Sequence, residues 1–199
     1  FPTTAATGEA TMTQQLHQTA LPGIAARHRG AGHARIWGGD LMPTPSARLA
    51  QIASTSTTNT WTTSSFSPTG NALLVVSGSL LNTTLEPAVS SVTDTFTGTG
   101  SWTIVQASNT TIQQHVGFIA YALLGSSPGS GTVTVNTSNN AIRTAVDVYE
   151  VTSVNTSAPV TQSKTGTGTS ATPSITLDST PATDSLVFGA LSSRATSDP

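Results

Sequence analysis

From residue 51 onward, hydrophobic and polar residues alternate along short stretches of the chain, as in β-strands that bury one face. These stretches are residues 131–136, 142–149 and 174–177. Three other stretches are apolar on both faces, namely residues 72–76, 117–124 and 186–191. A stretch of the second kind is typical of a central strand that is covered on both sides, or of a strand packed in an interface.

Turn-forming residues separate these stretches. Gly, Pro, Asn, Ser and Thr cluster at residues 67–71, 97–100, 127–131 and 165–168, and each cluster predicts a turn. About eight short strands with frequent turns predict an all-β fold. We expect an antiparallel β-sandwich of the jelly-roll or immunoglobulin-like kind.

The first 50 residues lack this periodicity. A short helix is predicted from Thr11 to Leu21, and the rest of the segment is rich in glycine and proline. Such a segment buries little surface by itself, so we expect an extended N-terminal arm that is ordered by a surface against which it lies. The predicted organisation is therefore an anchoring arm, residues 1–50, followed by a β-sandwich domain, residues 51–199.

Composition narrows the range of functions. Only 8% of the residues are charged and the formal net charge is -2, which disfavours a nucleic-acid partner for the chain as a whole. The absence of cysteine excludes disulfides, thiolate chemistry and cysteine zinc sites. No apolar run has the length of a membrane span, so no membrane partner is expected.

The few charges are unevenly distributed. Residues 1–50 hold four arginines and two acidic residues, whereas residues 51–199 hold three basic and seven acidic residues. Three of the four arginines in residues 1–50 stand in the run IAARHRGAGHARIW, residues 24–37. The glycines let the backbone of this run approach a partner closely, and arginine pairs well with carboxylates.

We interpret this run as a strip that anchors the chain to neighbouring subunits. The contact residues predicted for it are Ile24, Arg27, Arg29, Arg35, Ile36 and Trp37. Nucleic acid is the alternative partner, since the arginines suit phosphate and Trp37 suits base stacking. The patch is small, which favours a protein surface.

The residues that usually carry catalysis are scattered. His28 and His33 are five residues apart with few other ligands nearby, which is a poor spacing for a metal site. Asp147 and Glu150 fall on opposite faces of a predicted strand, which disfavours a glycosidase carboxylate pair. No nucleophile elbow is present. We expect no enzyme activity, no metal and no cofactor.

Three aromatic residues offer a different chemistry. Trp61, Trp102 and Tyr121 are candidates for a platform on which a sugar ring stacks, as in carbohydrate-binding modules. The alternative, which we favour, is that they are core or interface aromatics.

From about residue 55, the order of motifs resembles the β-sandwich modules of bacteriophage virion proteins and of bacterial surface proteins. The motifs are NALLVVSGSL, SWTIVQ, HVGFIAYALLG, GTVTVNTS, AIRTAVDVYEVTSV and DSLVFGAL. The resemblance does not extend to the N-terminal arm, and it implies no catalytic residues. Modules of this kind commonly continue beyond a DSLVFGAL-like strand, which raises the expectation that a further segment or a neighbouring subunit completes the sheet.

The resemblance and the basic run together give the functional hypothesis. It is a structural virion protein, either a phage capsid decoration or minor capsid protein or a tail-appendage protein, located at the particle surface. Its expected partners are other virion subunits, including copies of itself. A glycan-binding module of a tail fibre or bacterial adhesin is the alternative, with a surface glycan as its partner.

Overall fold

A computed structural model describes residues 9–17, 43–107, 115–168 and 172–194, and it describes side chains from residue 43 to residue 192 within these ranges. Over this part of the chain there are 12 strands and no helix. The strands are β1 (Glu9–His17), β2 (Thr44–Pro45), β3 (Ala50–Ser54), β4 (Thr58–Thr62), β5 (Leu73–Leu81), β6 (Val89–Asp94), β7 (Thr103–Ala107), β8 (His115–Leu123), β9 (Val133–Ala141), β10 (Arg143–Thr152), β11 (Gln162–Gly168) and β12 (Val187–Arg194).

These strands form three antiparallel sheets. The central sheet has the order β2-β10-β5-β8-β7, and β3 pairs with β10 beside β2. The outer sheet has the order β4-β9-β6, and the terminal sheet has the order β11-β1-β12. The outer and terminal sheets lie on opposite faces of the central sheet, so the molecule has three layers.

The main core lies between the central and outer sheets. Alternate residues of β5, such as Leu74 and Val76, point into it from the central sheet, and Phe118 joins them from β8. Val133 and Val135 of β9 face them from the outer sheet. The alternation that predicted a half-buried strand at residues 131–136 therefore reflects a sheet with one face in this core and one in solvent.

A second core lies between the central and terminal sheets. Leu73 and Val75 of β5 and Ile119 of β8 are fully buried there. Phe188 of β12 packs against this cluster from the terminal sheet. Because β5 and β8 are covered on both sides, their sequences are apolar on both faces. The predicted all-β, antiparallel sandwich is confirmed, with the terminal sheet as an additional layer.

The predicted helix from Thr11 to Leu21 is wrong over residues 11–17. This segment belongs to β1, whose backbone pairs with β11 on one side and with β12 on the other. Two rows of interstrand pairing outweigh the weak helical tendency of a short segment that contains Thr11 and Thr13.

Residues before 51, the predicted start of the β-sandwich domain, already pair with the edge of the central sheet. The backbone N–H of Ser46 donates to the carbonyl oxygen of Glu150 across 2.8 Å, and that of Leu49 donates to the carbonyl oxygen of Val148 across 2.8 Å. Ala50 is buried in the main core. Residues 44–50 are thus joined to the sandwich by the same kind of backbone bonds as the strands that follow them.

Two local predictions in the C-terminal part are also wrong. The glycines at residues 165–168 lie in β11 rather than in a turn, since this segment pairs with β1. Residues 174–177, which alternate like a strand, lie outside the strands. The side chain of Ile175 lies over Gly166, where an added Cβ would be 3.5 Å from Cγ1 of Ile175. The alternation there reflects packing on β11 without a backbone ladder.

Candidate functional site

The residues of the predicted anchoring strip lie outside the described part of the chain. They are Ile24, Arg27, Arg29, Arg35, Ile36 and Trp37, all within residues 18–42. In the sequence this segment stands between β1 and β2, and both of these strands pair with the sandwich.

The three aromatic candidates do not share a surface. Trp61 of β4 is buried, with 5% of its surface exposed, in the core between the central and outer sheets. Trp102, immediately before β7, is half-buried against the same core. Tyr121 of β8 packs in the other core, on the opposite face of the central sheet. The three rings therefore do not form one stacking platform, because Trp61 and Trp102 pack against the main core and Tyr121 lies on the other face of the central sheet.

The two acidic residues that were weighed as a carboxylate pair, Asp147 and Glu150, have structural contacts. Asp147 pairs with Arg48 across 3.1 Å in an exposed salt bridge. Glu150 is buried and accepts hydrogen bonds from Thr69, at 2.6 Å from the backbone N–H and at 3.0 Å from the hydroxyl. Glu150 thereby ties the turn before β5 to the central sheet.

Within the described ranges, no three His, Asp or Glu side chains are grouped closely enough to hold a metal ion. No helix in that part of the chain is long and apolar enough to cross a membrane.

A cleft of about 500 Å³ opens at one end of the sandwich. Three segments surround it: the start of β4, the loop from β5 to β6, and the end of β9 with its turn into β10. We call it the amide cleft because four asparagines line it. They are Asn59, Asn82, Asn139 and Asn140.

Two of these asparagines fix the walls of the amide cleft. Asn82 is buried, and its Nδ2 donates to the carbonyl oxygen of Asn140 across 2.5 Å. Its Oδ1 accepts from the backbone N–H of Thr84 at 2.9 Å, which closes a turn in the β5–β6 loop. Asn139 Nδ2 donates to the carbonyl oxygen of Glu86 across 2.8 Å. The loop and the end of β9 are therefore held to each other by side-chain amides.

Comparison with family models, with curated proteins and with solved structures found no match to this chain.

Sequence reasoning missed the amide cleft. Its asparagines come from three separate parts of the sequence. These are LNTTLE at residues 81–86, NTSNNA at residues 136–141, and the single residue Asn59. Each stretch alone reads as a polar turn. Only the antiparallel return of β9 beside β4 brings the end of β9 to Asn59.

Proposed function

We propose that this chain is a structural subunit of a bacteriophage virion, either a capsid decoration or minor capsid protein or a tail-appendage protein. Its N-terminal residues anchor it to neighbouring subunits at the particle surface. The motif resemblance described above supports the virion assignment. The placement of β1 and the basic run that follows it support assembly.

The N-terminal strand β1 occupies a position in the terminal sheet that the β1 strand of another copy could also fill. Its neighbours β11 and β12 both come from the last part of the chain, so the terminal sheet exists only when an N-terminal strand lies between them. Without that strand, both neighbours present unpaired backbone groups along one edge. Strand insertion of this kind joins subunits when the strand of one copy enters the sheet of another.

Charge complementarity supports a second copy of this chain as the partner. The segment between β1 and β2 carries Arg27, Arg29 and Arg35, whereas residues 51–199 carry an excess of acidic residues. The basic segment of one copy and the acidic sandwich of the next are therefore complementary, which favours specific contact between copies. When such a contact is repeated around a symmetric particle, many weak contacts together give strong binding of each subunit.

The test is the molar mass in solution, measured by light scattering over a range of protein concentrations. We expect the unmodified chain to form a defined oligomer and the double variant Arg27→Ser/Arg29→Ser to be a monomer. The matched control is Arg48→Ser/Arg143→Ser, which removes two cations elsewhere and should assemble like the unmodified chain. Assembly of the Arg27→Ser/Arg29→Ser variant to the same mass would show that the basic run does not anchor the subunit.

A further inference from the structure

We propose that the amide cleft binds a neutral saccharide. This inference goes beyond the proposed structural role and does not depend on it. The cleft differs from the aromatic platform considered for the sequence, since Trp61, Trp102 and Tyr121 do not line it. Its volume of about 500 Å³ is in the usual range of small-molecule sites.

The lining of the cleft matches the chemistry of sugar hydroxyl groups. Besides the four asparagines, it contains the hydroxyl residues Thr57, Thr83, Thr84 and Ser138. Carboxamides and hydroxyls both donate and accept hydrogen bonds, as sugar hydroxyls do. None of the lining residues is Lys, Arg, Asp or Glu. A phosphate or carboxylate ligand would have no charged partner there, so the geometry favours a neutral ligand.

The polar groups of the cleft divide into those that build it and those that are free to bind. Asn82 and Asn139 are engaged in the wall contacts described above. Among the described residues, no partner contacts Asn59 Nδ2, the side chain of Asn140 or the hydroxyl of Thr83. These groups stand on a frame that is already hydrogen-bonded, which is the arrangement expected of a preorganised site.

An exposed leucine supplies the apolar contact that a sugar ring needs. Leu85 lines the cleft with 55% of its surface exposed, which is the largest exposed fraction among the large hydrophobic side chains of the described residues. Ile142 lies half-buried in the same lining. The C–H groups of a pyranose ring pack against aliphatic side chains of this kind. Because no aromatic ring is present, we expect weak binding, with a Kd on the order of 1 mM.

The test is a ¹H–¹⁵N NMR titration of the full chain with glucose, galactose, mannose and N-acetylglucosamine, each up to about 50 mM, well above the expected Kd. Sorbitol, an open-chain polyol, is added at the same concentration to control for signal shifts caused by hydroxyl groups without a sugar ring. We expect at least one neutral sugar to shift the amide signals of the cleft segments, residues 57–59, 82–85 and 138–142, and sorbitol to shift none of them.

The variant Asn59→Ala/Asn140→Ala removes the unbonded Nδ2 of Asn59 and the carboxamide of Asn140. It keeps both wall contacts, which use the backbone oxygen of Asn140 and the side chains of Asn82 and Asn139. We expect its Kd to rise at least tenfold with an unchanged Tm. The matched control Asn155→Ala, outside the cleft, should bind like the unmodified chain.

Three results would overturn the proposal. The first is the absence of shifts with every neutral sugar. The second is shifts that persist unchanged in Asn59→Ala/Asn140→Ala. The third is that the amide signals of the cleft shift with protein concentration but not with any sugar. That result would identify a second copy of the chain as the occupant. None of these results bears on the Arg27→Ser/Arg29→Ser measurement, so the two proposals fail separately.

Discussion

Trp102 donates its indole N–H to Oδ2 of Asp94 across 2.7 Å, and this bond closes the connection between β6 and β7. The other carboxylate oxygen of Asp94 accepts from the backbone N–H of Phe96 and from the hydroxyl of Thr99, both at 2.9 Å. One carboxylate thus satisfies three donors in the strand connection that leads from the outer sheet to the central sheet.

We expect Asp94→Ala to lower the free energy of unfolding by about 2 to 3 kcal/mol, because hydrogen bonds to a charged acceptor are worth more than neutral ones and the half-buried indole N–H loses its partner. Urea unfolding followed by tryptophan fluorescence measures the change. The matched control is Asp178→Ala. It removes an exposed carboxylate that pairs with Lys164, and we expect it to change stability by less than about 1 kcal/mol. Equal effects of the two variants would contradict the structural role of Asp94.

The ring of Phe188 in β12 lies edge-on to that of Tyr149 in β10, with centroids 5.5 Å apart. This contact joins the terminal sheet to the central sheet. We expect Phe188→Ala to lower the free energy of unfolding by about 2 to 3 kcal/mol, since it removes a large side chain from the second core. Leu191→Ala, on the solvent side of the same strand, should cost less than about 0.5 kcal/mol. Thermal unfolding of both variants checks this difference, and a reversed order would show that β12 presents its other face to the central sheet.

Gly78 of β5 leaves room for a neighbouring aromatic ring. A Cβ atom at this position would lie 2.7 Å from Cε1 of Phe118 and 2.8 Å from both the carbonyl oxygen of Ala145 and Cγ2 of Val146. We expect Gly78→Ala to destabilise the protein by about 1 to 3 kcal/mol through overpacking. Gly168→Ala is the matched control, because a Cβ there meets nothing within 4 Å. Chemical denaturation of both variants tests this, and a neutral Gly78→Ala would mean that β5 and β8 are not packed this closely.

The position of β1 can be tested by a designed disulfide, because the chain has no cysteine. Met12 pairs with Leu191 across β1 and β12, and Cα atoms of antiparallel partners lie within the range that a disulfide spans. In dilute solution, below the concentration at which copies assemble, we expect Met12→Cys/Leu191→Cys to form a disulfide within the chain. The oxidised variant should then migrate as a monomer on non-reducing gels. The control Met12→Cys/Leu85→Cys, which joins residues that are not paired, should not form that link. Covalent dimers of the first variant in dilute solution would show that the β1 of another copy fills the position.

The strand pattern of the sandwich could be predicted from its sequence. Val133 and Val135 alternate with polar residues because only one face of their strand lies in a core. Residues 72–76 are apolar throughout because both faces of β5 lie in a core. The segment around Ile175 shows where this reasoning fails. Its alternation is that of a strand, but its contacts are side-chain packing and hydrogen bonds, such as Gln162 to Ser179. Periodicity reports which side chains are buried and does not report what the backbone pairs with.

The amide cleft was beyond sequence reasoning for a different reason. Asn59, Asn82 and Asn140 are far apart in the chain, and each stands in a stretch typical of a polar turn. Their convergence depends on the pairing of β4 with β9 and on the side-chain bonds of the β5–β6 loop. No local signal encodes either of these.

An antiparallel all-β protein with strands of two kinds could be predicted from the sequence, because the alternation of side chains along a strand is a local property. The strand at Glu9–His17 and the third sheet over the second face of the central sheet depend instead on contacts between distant parts of the chain. The reason is that β1 takes its structure from β11 and β12, which lie at the other end of the chain, and such pairing outweighs the weak preference of a nine-residue segment.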